Sequence, residues 1–553
     1  MAKKLALVIS GAVSLGTYEA GVVYELLAAL AYHNTRNPGK EILIDVITGA
    51  SAGGMNTVIL AQKLLFQPSR LSDVQDNDLY LPWVRDVDLT GLLNLGSEEK
   101  SILSALSSDL IETLAQNYLI SSYTSGDNIQ SEARHPAADS AIQIGLAMSN
   151  LNGVDYGIDL LSGGTMPYTR FQDQVIVTVD STNPDHDSAD FWEPLCDAAV
   201  ACGAFPFAFR VKDVVRQNSD YQDPAPLTPL PAMPHFAYTD GGTFQNEPIA
   251  LAKRLVDSID NHLNDDRYYM FVAPGMRTSA AKDFSAAPRS DYFDYWNTGQ
   301  ALVNAIFNQA RYRDLNNVEE INDRVAQLDA QAGGLLKLYQ NGKVTPQQMD
   351  PATSSLLQNL FPAPAGAPAG TLGADGIAAQ DRLRQQYATE YNSLLAINKG
   401  VAESWINAVL LLESVACLGP QDTMKIYAIT DDKNRIAGSG LLAFAGFFDV
   451  AYRQHDYDLG RQSARDFIDW LNKQSTPGLG PIQQQPNLNP ITIDSALDGL
   501  ELGAIDQSKR QALYDRLHDR ASDLMVELGI NAVIREGFFL GYIDGALKKL
   551  LQL

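Results

Sequence analysis

The pentapeptide Gly49-Ala50-Ser51-Ala52-Gly53 sets a serine between two glycines, directly after the largely apolar run Ile44-Asp45-Val46-Ile47-Thr48. A strand ending in Gly-x-Ser-x-Gly and followed by helix-forming residues makes a sharp turn that pushes the serine outward. The helix N-terminus behind the turn favours negative charge on the serine oxygen. Gly49 and Gly53 leave room for the strained backbone and for a closely packed helix. In a chain of 553 residues such a pentapeptide arises by chance with a probability of roughly a few tenths. Its surroundings therefore decide whether Ser51 does chemistry.

A serine hydroxyl becomes a useful nucleophile only with a base within hydrogen-bond reach. The seven histidines, at 33, 135, 186, 235, 262, 455 and 518, stand in no recognisable catalytic context. Asp240 is the better candidate: it follows Phe236-Ala237-Tyr238-Thr239 and precedes Gly241 and Gly242, which let the backbone approach a neighbouring site. A partly buried carboxylate keeps enough basicity to take a proton. Asp-Gly-Gly is also a common turn, and taken alone these residues leave both readings open. A third element is the small-residue loop Gly11 to Gly16. Backbone N–H groups of such a loop, between a strand and a helix N-terminus, can receive the negative charge that acyl transfer builds on a carbonyl oxygen. The loop lacks the Gly-x-Gly-x-x-Gly spacing of a dinucleotide site and the Gly-Lys-Ser/Thr of a P-loop.

These residues need elements to hold them. Leu5 to Ile9 is a continuous apolar run, as in a strand covered on both faces, and Tyr18 to Tyr32 carries helical apolar spacing. With Ile42 to Thr48 as the next strand, the order is βαβ, which predicts an α/β fold with a mainly parallel sheet. Residues 1–275 are expected to form the core, with a helical insertion at about 66–170 that covers the site. Helical pattern is read at Ser101 to Tyr118 and at Asn128 to Asn150. Val175 to Val179 and Tyr268 to Ala273 read as strands, and Phe191 to Cys202 and about 248–262 as helices. Residues 276–423 read as a helical region with a Pro/Ala/Gly-rich linker at about 362–376. Residues 424–553 are expected to return one strand, Met424 to Thr430, to the core before C-terminal helices.

The chain is 45% hydrophobic and 19% charged, enough to bury a large core. A formal net charge of −25 argues against nucleic-acid partners and against electrostatic attachment to anionic lipid, so a lipid partner must be held by apolar contact. Three cysteines, Cys196, Cys202 and Cys417, suit a reducing, cytoplasmic setting. The opening Lys3-Lys4-Leu5-Ala6-Leu7-Val8-Ile9 reads as the first strand rather than a signal peptide, and no segment has the unbroken apolar length of a membrane span. No cofactor or metal is called for; Asp185-His186-Asp187 reads as an exposed acidic turn.

In chain order, the loop Gly11 to Gly16, Gly49 to Gly53, and Asp240-Gly241-Gly242 with Asn246 and Pro248 resemble the motifs of the patatin-like phospholipases. Ala201-Cys202-Gly203-Ala204-Phe205-Pro206 is similar to the segment that precedes that family's catalytic aspartate, and His455 to Arg461 is more weakly similar to segments of larger bacterial members. The resemblance implies a three-layer α/β core and a Ser-Asp dyad. Ser51 would attack an ester carbonyl, Asp240 would take its proton, the backbone amides of Gly11, Ala12, Val13 and Ser14 would hold the oxyanion, and water would release the acyl-enzyme. The family loop is commonly Gly-Gly-Gly-x-Arg/Lys-Gly, whereas Ala12, Val13 and Leu15 stand here. Ala12 and Val13 carry Cβ atoms, so φ above zero is not expected at either. Leu15 offers no charge to a phosphate, so an acyl hydrolase acting on lipid or other esters, at a membrane or micelle interface, is expected ahead of a phospholipase.

Overall fold

The structure is a computed structural model that describes all residues except 1, 97–98, 100–103, 125–131, 161–162, 223, 261–265, 276–294, 365–366, 369–370, 416–423, 432, 476–477, 487–488, 501–502, 504, 528 and 530–539. Cys417 and His262 therefore lie outside the described residues. By its contacts the chain divides into two compact units, Met1–Val256 with Asp266–Asp314 and Ile426–Leu553, and Asp257–Asp265 with Leu315–Lys425.

The first unit begins with β1 (Lys3–Ile9), α1 (Gly16–Arg36), β2 (Ile42–Gly49) and α2 (Ala52–Phe66). It continues with α3 (Ser108–Leu119), β3 (Ala138–Asp159), β4 (Thr165–Asp180), α4 (Ala189–Cys202), β5 (Lys212–Val215), β6 (His235–Thr239), α5 (Ile249–Ile259) and β7 (Arg267–Val272). After the second unit come β8 (Ile426–Ile429) and α6 (Val450–Asn472). The described strands form one sheet in the order β5-β6-β3-β2-β1-β7-β8, with β4 paired to β3. Pairings among β3, β2, β1, β7 and β8 are parallel; β4, β5 and β6 add antiparallel pairs. This is the expected α/β class, and β8 joins the sheet where Met424 to Thr430 pointed.

Register explains why the chemistry collects at one edge. Ile9 is opposite both Gly49 and Val272, and Gly49 is opposite Leu146, so the loop after β1 and the turn after β2 leave the sheet side by side. Further along β3, Ser149 pairs with Thr239. That pairing delivers Asp240, the next residue, to the same edge, where open parallel sheets bind their ligands.

One sequence expectation fails here. Within Asn128 to Asn150, residues from Ala138 onward form β3 rather than a helix. Ile142, Ile144, Leu146, Ala147 and Met148 are all buried because this central strand is covered on both faces, and Gly145 sits beneath Leu251 and Leu255 of α5. A strand buried on both sides loses its alternation and cannot be told from a buried helix by periodicity. Helix α3, by contrast, is present within the insertion. It is capped by the Ser107 side chain, which accepts from the Leu110 N–H.

Helix α6 crosses α1 at two glycines. A Cβ on Gly21 would strike the Tyr457 carbonyl, and one on Gly460 the Tyr18 carbonyl. Arg461 and Arg465 of α6 reach Glu25 of α1 at 3.1 and 2.7 Å. The His455 to Arg461 segment thus docks the C-terminal part of the first unit onto the helix that follows the small-residue loop.

The second unit is helical: Pro346–Leu360, Ala374–Gln386, Ala388–Leu395 and Lys399–Val415 pack around Trp405, Leu357, Leu383 and Leu394. No described helix is long and apolar enough to cross a membrane.

Candidate active site

Ser51 sits between β2 and α2 with φ +52° and ψ −127°. A non-glycine residue holds a left-handed φ only where its surroundings impose it. Here the flanking glycines do so. A Cβ on Gly49 would run into the Gly53 carbonyl and the Thr57 hydroxyl, and one on Gly53 into the carbonyls of Ser10 and Ile9. The turn is thereby pressed against the end of β1.

The Ser51 hydroxyl donates to Asp240 Oδ2 at 2.6 Å. Both residues are buried, at 5% and 1% exposure. The other carboxylate oxygen accepts the Gly242 N–H at 2.7 Å. The Asp240 backbone is fixed as well: its N–H donates to the Ala204 carbonyl at 2.9 Å, and its carbonyl accepts from the Ser149 hydroxyl at 2.8 Å. A Cβ on Gly241 would collide with the Ala147 carbonyl, so that glycine serves close approach. Burial pushes the Asp240 carboxyl up to about 7, against the opposing hydrogen bonds from Ser51 and Gly242.

The small-residue loop differs from expectation in two respects. Val13 does adopt a positive φ, +52°, while Ala12 stays at −144°. The strain at Val13 is held by its neighbours: Leu15 N–H donates to the Ala12 carbonyl, Thr17 Oγ1 to the Ser14 carbonyl, and Gly16 lies flat against the Trp83 ring. Trp83 is oriented in turn by Asn56 of α2 at 2.6 Å. The second difference is Gly11, whose N–H donates to the Asn246 carbonyl at 2.9 Å while the Asn246 side chain returns a bond to the Gly11 carbonyl. Gly11 is therefore occupied as a donor; what it supplies is proximity, since a Cβ there would lie 3.1 Å from the Ser51 Cβ.

Five of the six described histidines are engaged as follows. His33 meets Lys40 and Gln483, His135 the Ala137 N–H, and His186 accepts the Asp180 N–H. His235 pairs with Asp213, and His455 lies between Asp456 and Asp498. Cys202 lies beside the site, where its thiol donates to the Ala147 carbonyl and burial raises its pKa, leaving it inert.

Residues 7–253 match the family model for patatin-like phospholipases. This segment belongs to the patatin-like phospholipase family. A curated relative, the uncharacterized protein y4iI of Sinorhizobium fredii, is 23% identical over 352 residues, covering 49% of this chain and 49% of that protein. The chain thus spans about half the length of that relative. The crystal structure of VipD from Legionella pneumophila aligns over all of this chain and 87% of that one at 11% identity, with a TM-score of 0.18, a value that carries no weight for the fold.

The patatin-like segment opens at Ser51 into an apolar cavity. The walls are apolar: Val13 and Met55 near the serine, Ile111, Leu114, Ala115 and Leu119 from α3, and Phe205 and Phe209 after α4. Phe447, far outside the matched segment, completes the lining. Between Phe205 and Phe209 the chain turns Phe207 outward, with φ +67° and 80% exposure. The carbonyls of Phe207 and Ala208 accept the N–H groups of Ala105 and Leu106, which pins this turn to the approach to α3. The sequence singled out Ser51, Asp240 and their glycines. It missed the bracing by Ser149 and Asn56, polar residues whose partners are distant in the chain.

Proposed function

We propose that the chain is a serine acyl hydrolase in which Ser51 and Asp240 act as a dyad on a lipid or other long-chain ester. The observation that carries the reading is the 2.6 Å hydrogen bond between them, placed at the opening of an apolar cavity. Ser51 Oγ attacks the ester carbonyl carbon while its proton passes to Asp240. The tetrahedral oxyanion is received by backbone N–H groups of Val13 and Ser14 with that of Ala52, the residue after the nucleophile. Collapse expels the alcohol, which takes the proton from Asp240 and leaves an acyl-serine. Asp240 then takes a proton from water, whose oxygen attacks the acyl carbon, and its return to Ser51 frees the fatty acid. A carboxyl near pKa 7 suits both directions of transfer, because a catalytic group works best when its pKa lies near the operating pH.

The cavity accepts an acyl chain, and Leu15 brings no cation for a phosphate, which supports acyl hydrolysis over head-group recognition. Phe207, held outward beside the cavity walls, supports contact with a lipid surface. The buried thiols Cys196 and Cys202, both free, support a reducing, cytoplasmic location. Purified protein should hydrolyse a chromogenic medium-chain ester, and Ser51→Ala and Asp240→Asn should each abolish turnover. The second reading is a lipid- or partner-binding module without catalysis. Its support is the occupied Gly11 donor; it requires an intact chain that binds lipid and turns over no ester.

A further inference from the structure

The small-residue loop does not stand on the patatin-like segment alone. The Ser14 side chain is fully buried, and its hydroxyl donates to the carbonyl of Ala443, a residue with φ +70°. At a non-glycine residue that backbone persists only where its surroundings hold it. The same stretch touches the loop twice more. A Cβ on Gly446 would lie 2.6 Å from Ser14 Oγ, and one on Gly438 2.9 Å from a Leu15 methyl. It also reaches the cavity, through Phe447 in the wall and through Phe444, whose ring meets Phe205 edge-on at 5.4 Å.

Helix α6 holds this stretch at both ends. Arg453, itself buried, donates to the carbonyls of Gly446 and Phe447 at 3.0 and 3.2 Å and to that of Val84 at 2.9 Å. Asp456 accepts the N–H groups of Ala437 and Gly438 at 2.8 and 2.9 Å. An Arg and an Asp three residues apart on one helix thus grip both ends of a stretch built of short helical turns, Ala437–Ser439, Gly440–Ala443 and Ala445–Phe448, and α6 is locked onto α1 by the glycine crossing.

We infer that residues 436–448 are a positioning strap for the reaction: the Ala443 carbonyl sets Ser14, and through it the oxyanion loop, while Phe447 closes one wall of the acyl cavity. Ser14, Gly446 and Arg453 are accordingly positioning residues, and Phe447 a specificity residue. The inference rests on the acyl-hydrolase reading above, and it makes the matched segment 7–253 an incomplete enzyme.

The test uses the full chain with a short soluble ester and a long-chain ester, with active sites counted by fluorophosphonate labelling so that rates are per competent site. Ser14→Ala deletes the hydroxyl and Gly446→Ala pushes the strap off the loop. Both are expected to lower kcat per site about ten-fold or more on both esters with KM little changed, as misplacement near a reacting centre does. Phe447→Ala should raise KM for the long ester several-fold more than KM for the short one, changing the chain-length preference. A merely structural role would lower thermal stability and the number of labelled sites but leave kcat per site and the chain-length preference unchanged, and that result overturns the strap. A wild-type protein that neither labels nor hydrolyses overturns the acyl-hydrolase reading, and the strap with it.

Discussion

Asp240 receives the Ser51 hydroxyl on one carboxylate oxygen and the Gly242 N–H on the other, and both side chains of the pair are buried. Those two bonds favour the ionised form, yet burial outweighs them and leaves the carboxyl near 7. The base must be ionised to accept the serine proton. For a soluble ester, kcat/KM should therefore rise with pH and level off above an apparent pKa near 7. A profile already flat from pH 5 upward would assign the base to a different group.

The same shift has a stability cost of known sign. The folded-state pKa exceeds the unfolded value of 3.8. The folded chain thus binds the proton more tightly, and stability is lost as pH rises between the two values. Asp240→Asn removes the buried charge. The variant should lose activity by roughly 10²-fold or more, the usual worth of a positioned base. It should also gain Tm relative to wild type at pH 8, with a smaller difference at pH 5. Thermal melts at the two pH values check this; equal or lower Tm for the variant at pH 8 contradicts it.

Much of this site was legible because its parts are local motifs. Gly49 to Gly53 and Asp240 to Gly242 each need a particular backbone, and short-range residue types report that need. Val13 escaped because steric preference argues against a positive φ at a β-branched residue, and the Trp83 ring that packs on the same loop at Gly16, held by Asn56, lies elsewhere in the chain. The donor role of Gly11 failed for a similar reason, since Asn246 takes its N–H from across the site. Strand β3 was misread because two covering layers erase alternation. The strap was invisible because no residue type announces a carbonyl, such as that of Ala443, that will meet a loop at the other end of the chain.

The cavity wall offers a size test. Ala115 of α3 lines it with a small side chain, so Ala115→Phe should fill part of the space. The expected result is a KM for long acyl chains raised about ten-fold with short esters little affected, an effect of the size that one or two methylenes' worth of fit produces. Equal loss on both substrates would mean that the acyl chain lies elsewhere.

Gly53 tests the turn itself. Gly53→Ala puts a methyl against the Ser10 and Ile9 carbonyls, neither of which can retreat without moving β1. Overpacking of this kind costs about 1–3 kcal/mol or more. A lowered denaturation midpoint is expected, together with loss of Ser51 reactivity, whereas wild-type stability would show that the turn and β1 are not pressed together.

Phe207 separates chemistry from access. Phe207→Ser should leave hydrolysis of a soluble short ester intact and reduce hydrolysis of the same acyl group presented in zwitterionic vesicles several-fold. Because the chain carries a net charge of −25, vesicle binding should not strengthen as anionic lipid is added. Unchanged vesicle activity in the variant would remove Phe207 from the interface.

The most direct measurement is the rate at which a fluorophosphonate labels Ser51, read by mass spectrometry on wild type and Asp240→Asn at pH 8. Labelling requires a serine whose proton is being taken. The account predicts modification of wild type at Ser51 and a rate lower by about 10²-fold or more in Asp240→Asn. An unlabelled wild type, or a rate indifferent to Asp240, would contradict it.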